Sequence, residues 1–284
     1  MRIGFIGAGK VGFSLGKFFA QGGVPVTGYY SRRRDSAEEA AHFTNTTAFQ
    51  DIPSLVAACD ALFLTVPDGS ITQVYRQLPR DMLNSKWICH CSGALSAREA
   101  FPGIEETGAR GFSVHPLFPV SSKYEAYKEL ADAFFCVEGD PEGLELVSRL
   151  LRGLGCQVQE ISAESKVRYH AACVFASNLV CALAQESIDL LEGCGFSRQG
   201  ALAALAPLMR SNLNHLCQVG PVKALTGPVE RCDVSTVAKH LDCFPTPEER
   251  ELYRLLSRKL VSVALERHPD QQQTYLTMKE VLRD

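Results

Sequence analysis

Two stretches near the start of this 284-residue sequence could do chemistry together. Gly7-Ala8-Gly9-Lys10-Val11-Gly12 is a GxGxxG turn between the apolar run Ile3, Phe5, Ile6 and a helical stretch from Lys10 to about Gln21. Gly7 permits the tight turn, Gly9 lets the backbone approach a pyrophosphate, and Gly12 lets helix and strand pack closely. The helix N-terminus then offers unpaired N–H groups to the phosphates. Some twenty residues on, where a dinucleotide site for NAD places a carboxylate, stands Ser31, followed by Arg32, Arg33 and Arg34. A carboxylate repels a 2′-phosphate, whereas a hydroxyl followed by guanidinium groups binds one through charge-assisted hydrogen bonds. The pattern favours NADP(H) over NAD(H), with Arg32 the first candidate and Arg33 the second; a solvated basic turn is the competing reading. Asp35, with Glu38 three residues on, reads as the cap of the next helix.

A bound nicotinamide needs partners that polarise or protonate a substrate and orient it. Lys166 and His170 stand one helical turn apart and fall, with Ser177, on one narrow face. Such a pair can donate to a developing alkoxide, and a cleft can lower the lysine's pKa. His115 follows the strand-like "GFSV", and an imidazole titrating near neutrality suits acid/base work. Ser92 and Gly93 could lie against the nicotinamide or hold a substrate carboxylate, and Val66 and Pro67 close another strand end. Asn178 and Arg231 are further substrate candidates. Each has a plain counterpart: a solvated lysine, a satisfied buried histidine, a turn histidine fixed by Pro116, a strand-to-helix turn, or an arginine paired with Asp233. Which of Lys166, His115 and His170 gives the proton stays open.

The elements that must position these residues alternate. Strands are expected in 60–66, 86–91, 109–114, 133–139 and 156–161, with helices between them. The fold class expected is α/β, a doubly wound N-terminal Rossmann domain over 1–161 followed by an all-helical domain over 162–284. Ligands of such sheets sit at the carboxyl ends of strands, which points to Pro67-Asp68, to Cys91-Ser92-Gly93-Ala94 and to the segment from His115 to Pro119. In the second domain, 163–192 is apolar nearly all round and reads as a buried helix. Pro207 should kink or divide the helix that starts near Ser197. Thr226-Gly227-Pro228 breaks the chain, Asp233 caps a helix, and Thr246-Pro247-Glu248-Glu249 starts another.

Composition narrows the classes. A net charge of -3 gives no general pull toward nucleic acid or anionic membrane, and no basic stripe extends beyond 32–34. No apolar run reads as a membrane span and the N-terminus reads as strand and turn, so a cytoplasmic protein is expected. Eleven cysteines, scattered through apolar runs, behave as small core residues rather than as a disulfide framework. Cys89-His90-Cys91 lacks a second ligand pair, so no metal is expected.

With "CSGALS", "SVHPLFPV", "YHAACVFASN" and "LTGPVERCD" in order behind the glycine turn, the whole chain resembles the Rossmann-like oxidoreductases that carry a helical C-terminal domain of formerly unknown function. More distantly it is similar to the 6-phosphogluconate dehydrogenase-like superfamily, which includes ketopantoate reductase, pyrroline-5-carboxylate reductase and prephenate dehydrogenase. The resemblance implies NAD(P)-dependent chemistry at an interdomain cleft, often in a homodimer. It places Lys166 where 2-hydroxyacid enzymes carry a catalytic lysine, but His170 stands where their asparagine does. His115-Pro116 is similar to the His-Pro of the prephenate dehydrogenase branch. The expectation is an NADPH-dependent oxidoreductase of a small carboxylated oxo or imino compound. The alternative is a non-catalytic NADP(H)-binding sensor.

Overall fold

A computed structural model describes residues 1–283. The chain divides into two compact units, 1–177 and 178–284. The first is built on eight strands: β1 (Ile3–Ile6), β2 (Val26–Tyr30), β3 (Thr47–Ala48), β4 (Ala61–Leu64), β5 (Trp87–His90), β6 (Arg110–Leu117), β7 (Phe134–Gly139) and β8 (Gln157–Glu160). Around them lie α1 (Lys10–Gln21), α2 (Arg34–Thr44), α3 (Ile52–Ala58), α4 (Ile71–Tyr75), α5 (Ala97–Ala100), α6 (Pro141–Gly153) and α7 (Lys166–Ala176). The strand order is β3-β2-β1-β4-β5-β6-β7-β8. Neighbours run parallel except β6 and β7, which are antiparallel and paired from Phe112–Gly139 to Leu117–Phe134.

Period-two alternation sends the strand side chains to two separate cores. Ile3, Phe5, Phe63, Phe112 and Phe135 pack with Phe13 and Phe19 of α1 and with Val147 and Leu151 of α6. Ile6, Leu62, Leu64 and Ile88 pack on the other face with Leu55 and Val56 of α3 and with Ile71 and Tyr75 of α4. The strand order reverses at β1, flanked by the parallel strands β2 and β4, and a crevice opens beyond the carboxyl ends of β1 and β4. Asp35 does not cap α2: the helix begins at Arg34, Arg33 holds the cap position, and Asp35 lies in the first turn. Glu38 instead pairs with Arg34 one turn earlier.

The second unit contains α8 (Asn178–Gly193), α9 (Arg198–Ala224), α10 (Val234–Cys243), α11 (Pro247–Arg267) and α12 (Thr274–Val281). Its core gathers Val237, Leu241, Val261, Ala264, Tyr275 and Met278. Asp233 caps α10 by accepting from Thr236 N, and Thr246 and Glu249 form a capping box at α11. Pro207 does not divide α9. The helix runs through it and breaks at Gly220 (φ 78°), just before Pro221, where proline disfavours the α conformation of the preceding residue.

The segment after β8 differs from expectation in how its helices divide and in what they bury. The sheet ends near residue 161 as expected, but the first compact unit continues to Ser177 because α7 is tied to the sheet through Lys166. The segment 163–192 is not one buried helix: α7 and α8 meet at Ser177, and Val167, Phe175, Leu179 and Leu183 are exposed. Ala163–Gly193 is also long and apolar enough, by length and composition, to cross a membrane, since no charged residue falls between Arg168 and Glu186.

Candidate functional site

The crevice beyond β1 and β4 holds a cavity of about 370 Å³. Gly7, Ala8 and Gly9 form one wall, Ser31, Arg32 and Arg33 a second, and Val66 and Pro67 a third. The backbone sets this shape. Gly7 has φ 107° and donates to Tyr30 O at 2.8 Å, which ties the turn to the end of β2. A Cβ on Gly12 would stand 2.3 Å from Thr65 Oγ1 and 2.4 Å from Gly7 O, so only glycine lets α1 approach this closely. Lys10, Val11 and Gly12 make up the first turn of α1 and do not line the cavity.

The three arginines divide by task. Arg34 is held by Glu38 at 2.7 Å, whereas Arg32 and Arg33 are exposed and have no hydrogen bond or ion pair among the described residues. Two unpaired guanidinium groups beside a serine hydroxyl at the cavity wall form a ready anion cradle. Sequence reading missed Ser36 and Lys123, which share this cavity. Lys123 arrives from the loop after β6 and pairs with Glu39 of α2 at 2.7 Å, a contact spanning 84 residues.

Ser92, Gly93, His115, Lys166 and His170 form a second cluster at the ends of β5 and β6, outside that cavity. Every polar atom of Ser92 is engaged. Its N–H donates to His90 Nδ1 at 3.1 Å and its hydroxyl donates to Asp68 Oδ2 at 2.6 Å, while the same oxygen accepts from Leu95 N. Its carbonyl accepts from Lys166 Nζ at 2.9 Å and from Ser113 Oγ at 3.2 Å. Lys166 Nζ also donates to Ser113 Oγ at 2.6 Å, and the side chain is 1% exposed. Burial lowers the Lys166 pKa, against the opposing pull of Cys136, Glu138, Cys91 and Asp68. The expected solvated or cleft-facing lysine is thus an internal tie between α7 and two strands.

His115 and His170 meet over Gly93. Their ring centroids are 6.1 Å apart at 85°, and a Cβ on Gly93 would stand 2.4 Å from His170 Cδ2 and 3.0 Å from His115 Nε2. His115 Nδ1 lies 2.6 Å from the Tyr169 hydroxyl. Burial, with Lys166 and His170 nearby, pushes the His115 pKa down to about 4 although Asp68 pulls it up. The imidazole is therefore neutral, and the expectation that it titrates near neutrality fails because burial penalises the cation. Tyr169 was missed in the sequence. Its only signal was its place beside His170 on the helix, since its partner lies 54 residues away. Asn178 and Arg231 belong to the second unit and are exposed. Asp233, weighed as a partner for Arg231, is taken up by Thr236 and Ser235.

Comparison with known proteins agrees with this architecture. A protein of Thermotoga maritima is 26% identical, with a TM-score of 0.76 over 94% of this chain and 99% of its own. A reductive aminase from Aspergillus terreus, solved with NADPH and ethyl-5-oxohexanoate, is 17% identical with a TM-score of 0.63, covering 99% of this chain and 92% of its own. A pyrroline-5-carboxylate reductase from Coxiella burnetii is 15% identical with a TM-score of 0.58, covering 99% and 98%. No curated protein matches the chain in sequence. The Rossmann-like domain matches residues 1–116, and the domain of unknown function DUF2520 matches residues 133–260. The chain thus carries a Rossmann-like domain followed by a DUF2520 domain.

Proposed function

We propose that the protein is an NADP(H)-dependent oxidoreductase that reduces a small carboxylated oxo or imino compound. The observation that carries this reading is the cavity that puts Gly7 and Gly9 on one wall and Ser31, Arg32 and Arg33 on another. Those residues fit the group: glycine backbone for a pyrophosphate, and a hydroxyl with two free guanidinium groups for a 2′-phosphate. Bound NADPH would supply the hydride. The reductive aminase solved with NADPH and the pyrroline-5-carboxylate reductase, both of this fold, support the class of chemistry.

In this reading His115 directs a proton toward the substrate's oxygen or nitrogen, while Ser92 and Gly93 form the floor beneath it. Lys166 acts as a positioning residue that holds the Ser92 carbonyl. His170 shields the site. A second copy of the chain would cover the exposed apolar residues of α7, α8, α9 and α11, such as Phe175, Leu183, Leu208 and Leu255. All eleven cysteines are free, which suits the reducing cytoplasm.

The test is a fluorescence titration of NADPH and NADH, followed by NADPH oxidation with a panel of 2-oxo acids and cyclic imines. Tighter NADPH binding and turnover of at least one panel member are expected. Equal affinity for the two nucleotides would remove the reading. Tight NADPH binding without turnover would move it to a nucleotide sensor.

A further inference from the structure

The two nitrogens of His115 stand in different surroundings. Nδ1 is 2.6 Å from the Tyr169 hydroxyl, with the rings edge-on at 86°. Nε2 has no hydrogen-bond partner among the described residues and overlooks Gly93. We infer that Tyr169 is a positioning residue whose hydroxyl donates to His115 Nδ1, fixing the Nε2–H tautomer and aiming that N–H across Gly93 at the substrate. The inference rests on the oxidoreductase reading for its consequence, but the tautomer itself does not depend on it.

The direction of the hydrogen bond follows from the acceptors available to the phenol. Besides Nδ1, its neighbours are the thiols of Cys136 and Cys173. Sulfur is a weak acceptor, whereas an imidazole nitrogen is a strong one, so the phenol proton goes to Nδ1. Burial raises the Tyr169 pKa, which keeps that proton on the phenol. If the bond ran the other way, Nδ1–H would donate to the phenol oxygen, the phenol would fall back on sulfur, and a bare Nε2 lone pair would face the substrate. A lone pair there would repel the oxygen of a carbonyl instead of polarising it.

The groups around His115 favour the neutral ring. Lys166 and His170 face it from α7 and oppose a second proton, and Asp68 favours one from the loop after β4. Cys136 is its register partner on β7. A neutral imidazole with its single proton held on the outward nitrogen polarises a C=O or C=N bond without first ionising, the role a neutral histidine plays where its pKa is lowered. His115 is then the group that touches substrate, and Tyr169 acts through it.

Nitrogen-15 spectra of histidine-labelled protein test this directly, with the His115 signals assigned by their loss in His115→Gln. In the wild-type protein His115 is expected as the neutral Nε2–H form, unchanged from pH 8 to pH 5.5. In Tyr169→Phe it is expected to become a mixture of tautomers, while NADPH affinity and melting temperature stay close to wild type. On any substrate that turns over, Tyr169→Phe should lower kcat by about 10-fold with little change in KM, the loss typical of a residue orienting a functional imidazole. An Nδ1–H tautomer in the wild type, or an unchanged tautomer in Tyr169→Phe, overturns the inference. Absence of NADPH binding would instead overturn the oxidoreductase reading and leave the tautomer result standing.

Discussion

The Lys166 ammonium is held 2.9 Å from the carbonyl oxygen of Ser92, a residue 74 positions earlier in the chain. The bond crosses from α7 to the turn after β5 and is closed by Ser113, so one buried cation ties helix, strand and turn together. Removing it strips the Ser92 carbonyl of its strongest donor. Lys166→Met should cost about 1–3 kcal/mol of stability, the usual penalty for orphaning buried polar partners. Urea denaturation would register this, and a midpoint equal to wild type would show that the tie carries no weight.

Cofactor preference should depend on Arg32 more than on its neighbours. A charge-assisted hydrogen bond is worth about 1.5–3 kcal/mol, so Arg32→Ala should weaken NADPH by roughly tenfold or more and leave NADH nearly unchanged. Arg34→Ala should leave the preference intact, because Arg34 is held by Glu38. Titration by nucleotide fluorescence separates the two variants. A loss in Arg34→Ala equal to that in Arg32→Ala would contradict the division.

Gly93 admits no side chain without moving a histidine. In Gly93→Ala the new methyl would press on His170 Cδ2 at 2.4 Å and crowd His115 Nε2. Turnover is expected to fall about 10²-fold through misplacement of the proton-directing group, with the Arg32-dependent preference for NADPH retained. Wild-type turnover in a folded Gly93→Ala would separate the histidines from the chemistry.

Acid should destabilise the first unit through two buried imidazoles. Burial holds His90 at about 3 and His115 at about 4, below the ordinary value of 6.5. Between those limits the unfolded chain binds protons that the folded chain refuses, so stability rises with pH across this window. It is fully present above about 6.5 and falls as pH drops toward 4 and then 3. Urea midpoints measured at pH 7.5 and pH 5 should differ in that direction. His90→Asn and His115→Gln, if stably folded, should each flatten the difference.

Sedimentation at micromolar concentration should find a dimer. Leu183→Glu, on the exposed side of α8, is expected to yield a folded monomer. A wild-type monomer with intact fold would leave the apolar residues of α7–α9 without the partner proposed for them.

The legible parts of the sequence were those with local punctuation. Gly9 and Gly22 bracket α1, and the helix runs from Lys10 to Gln21 as read. Thr246, Pro247 and Glu249 start α11 as their types demand. The two-residue β3 had no such signal. The apolar run across 163–192 was read as a buried helix, but hydrophobicity records only that a surface avoids water, not what covers it. The pairing of His115 with Tyr169, like the grip of Lys166 on Ser92, is long-range geometry. Residue types nominated three of these four, and only the folded chain joined them.

The reversal of β7 against β6 decides where one length of chain must lie. Because β6 ends and β7 begins at the same edge, residues 118–133 are confined to the rim where the cavity beyond β1 and β4 opens, and Lys123 reaches its wall from there. In an all-parallel sheet the return would leave by a crossover to the far edge. Strand polarity, more than any side chain, supplies this extra rim.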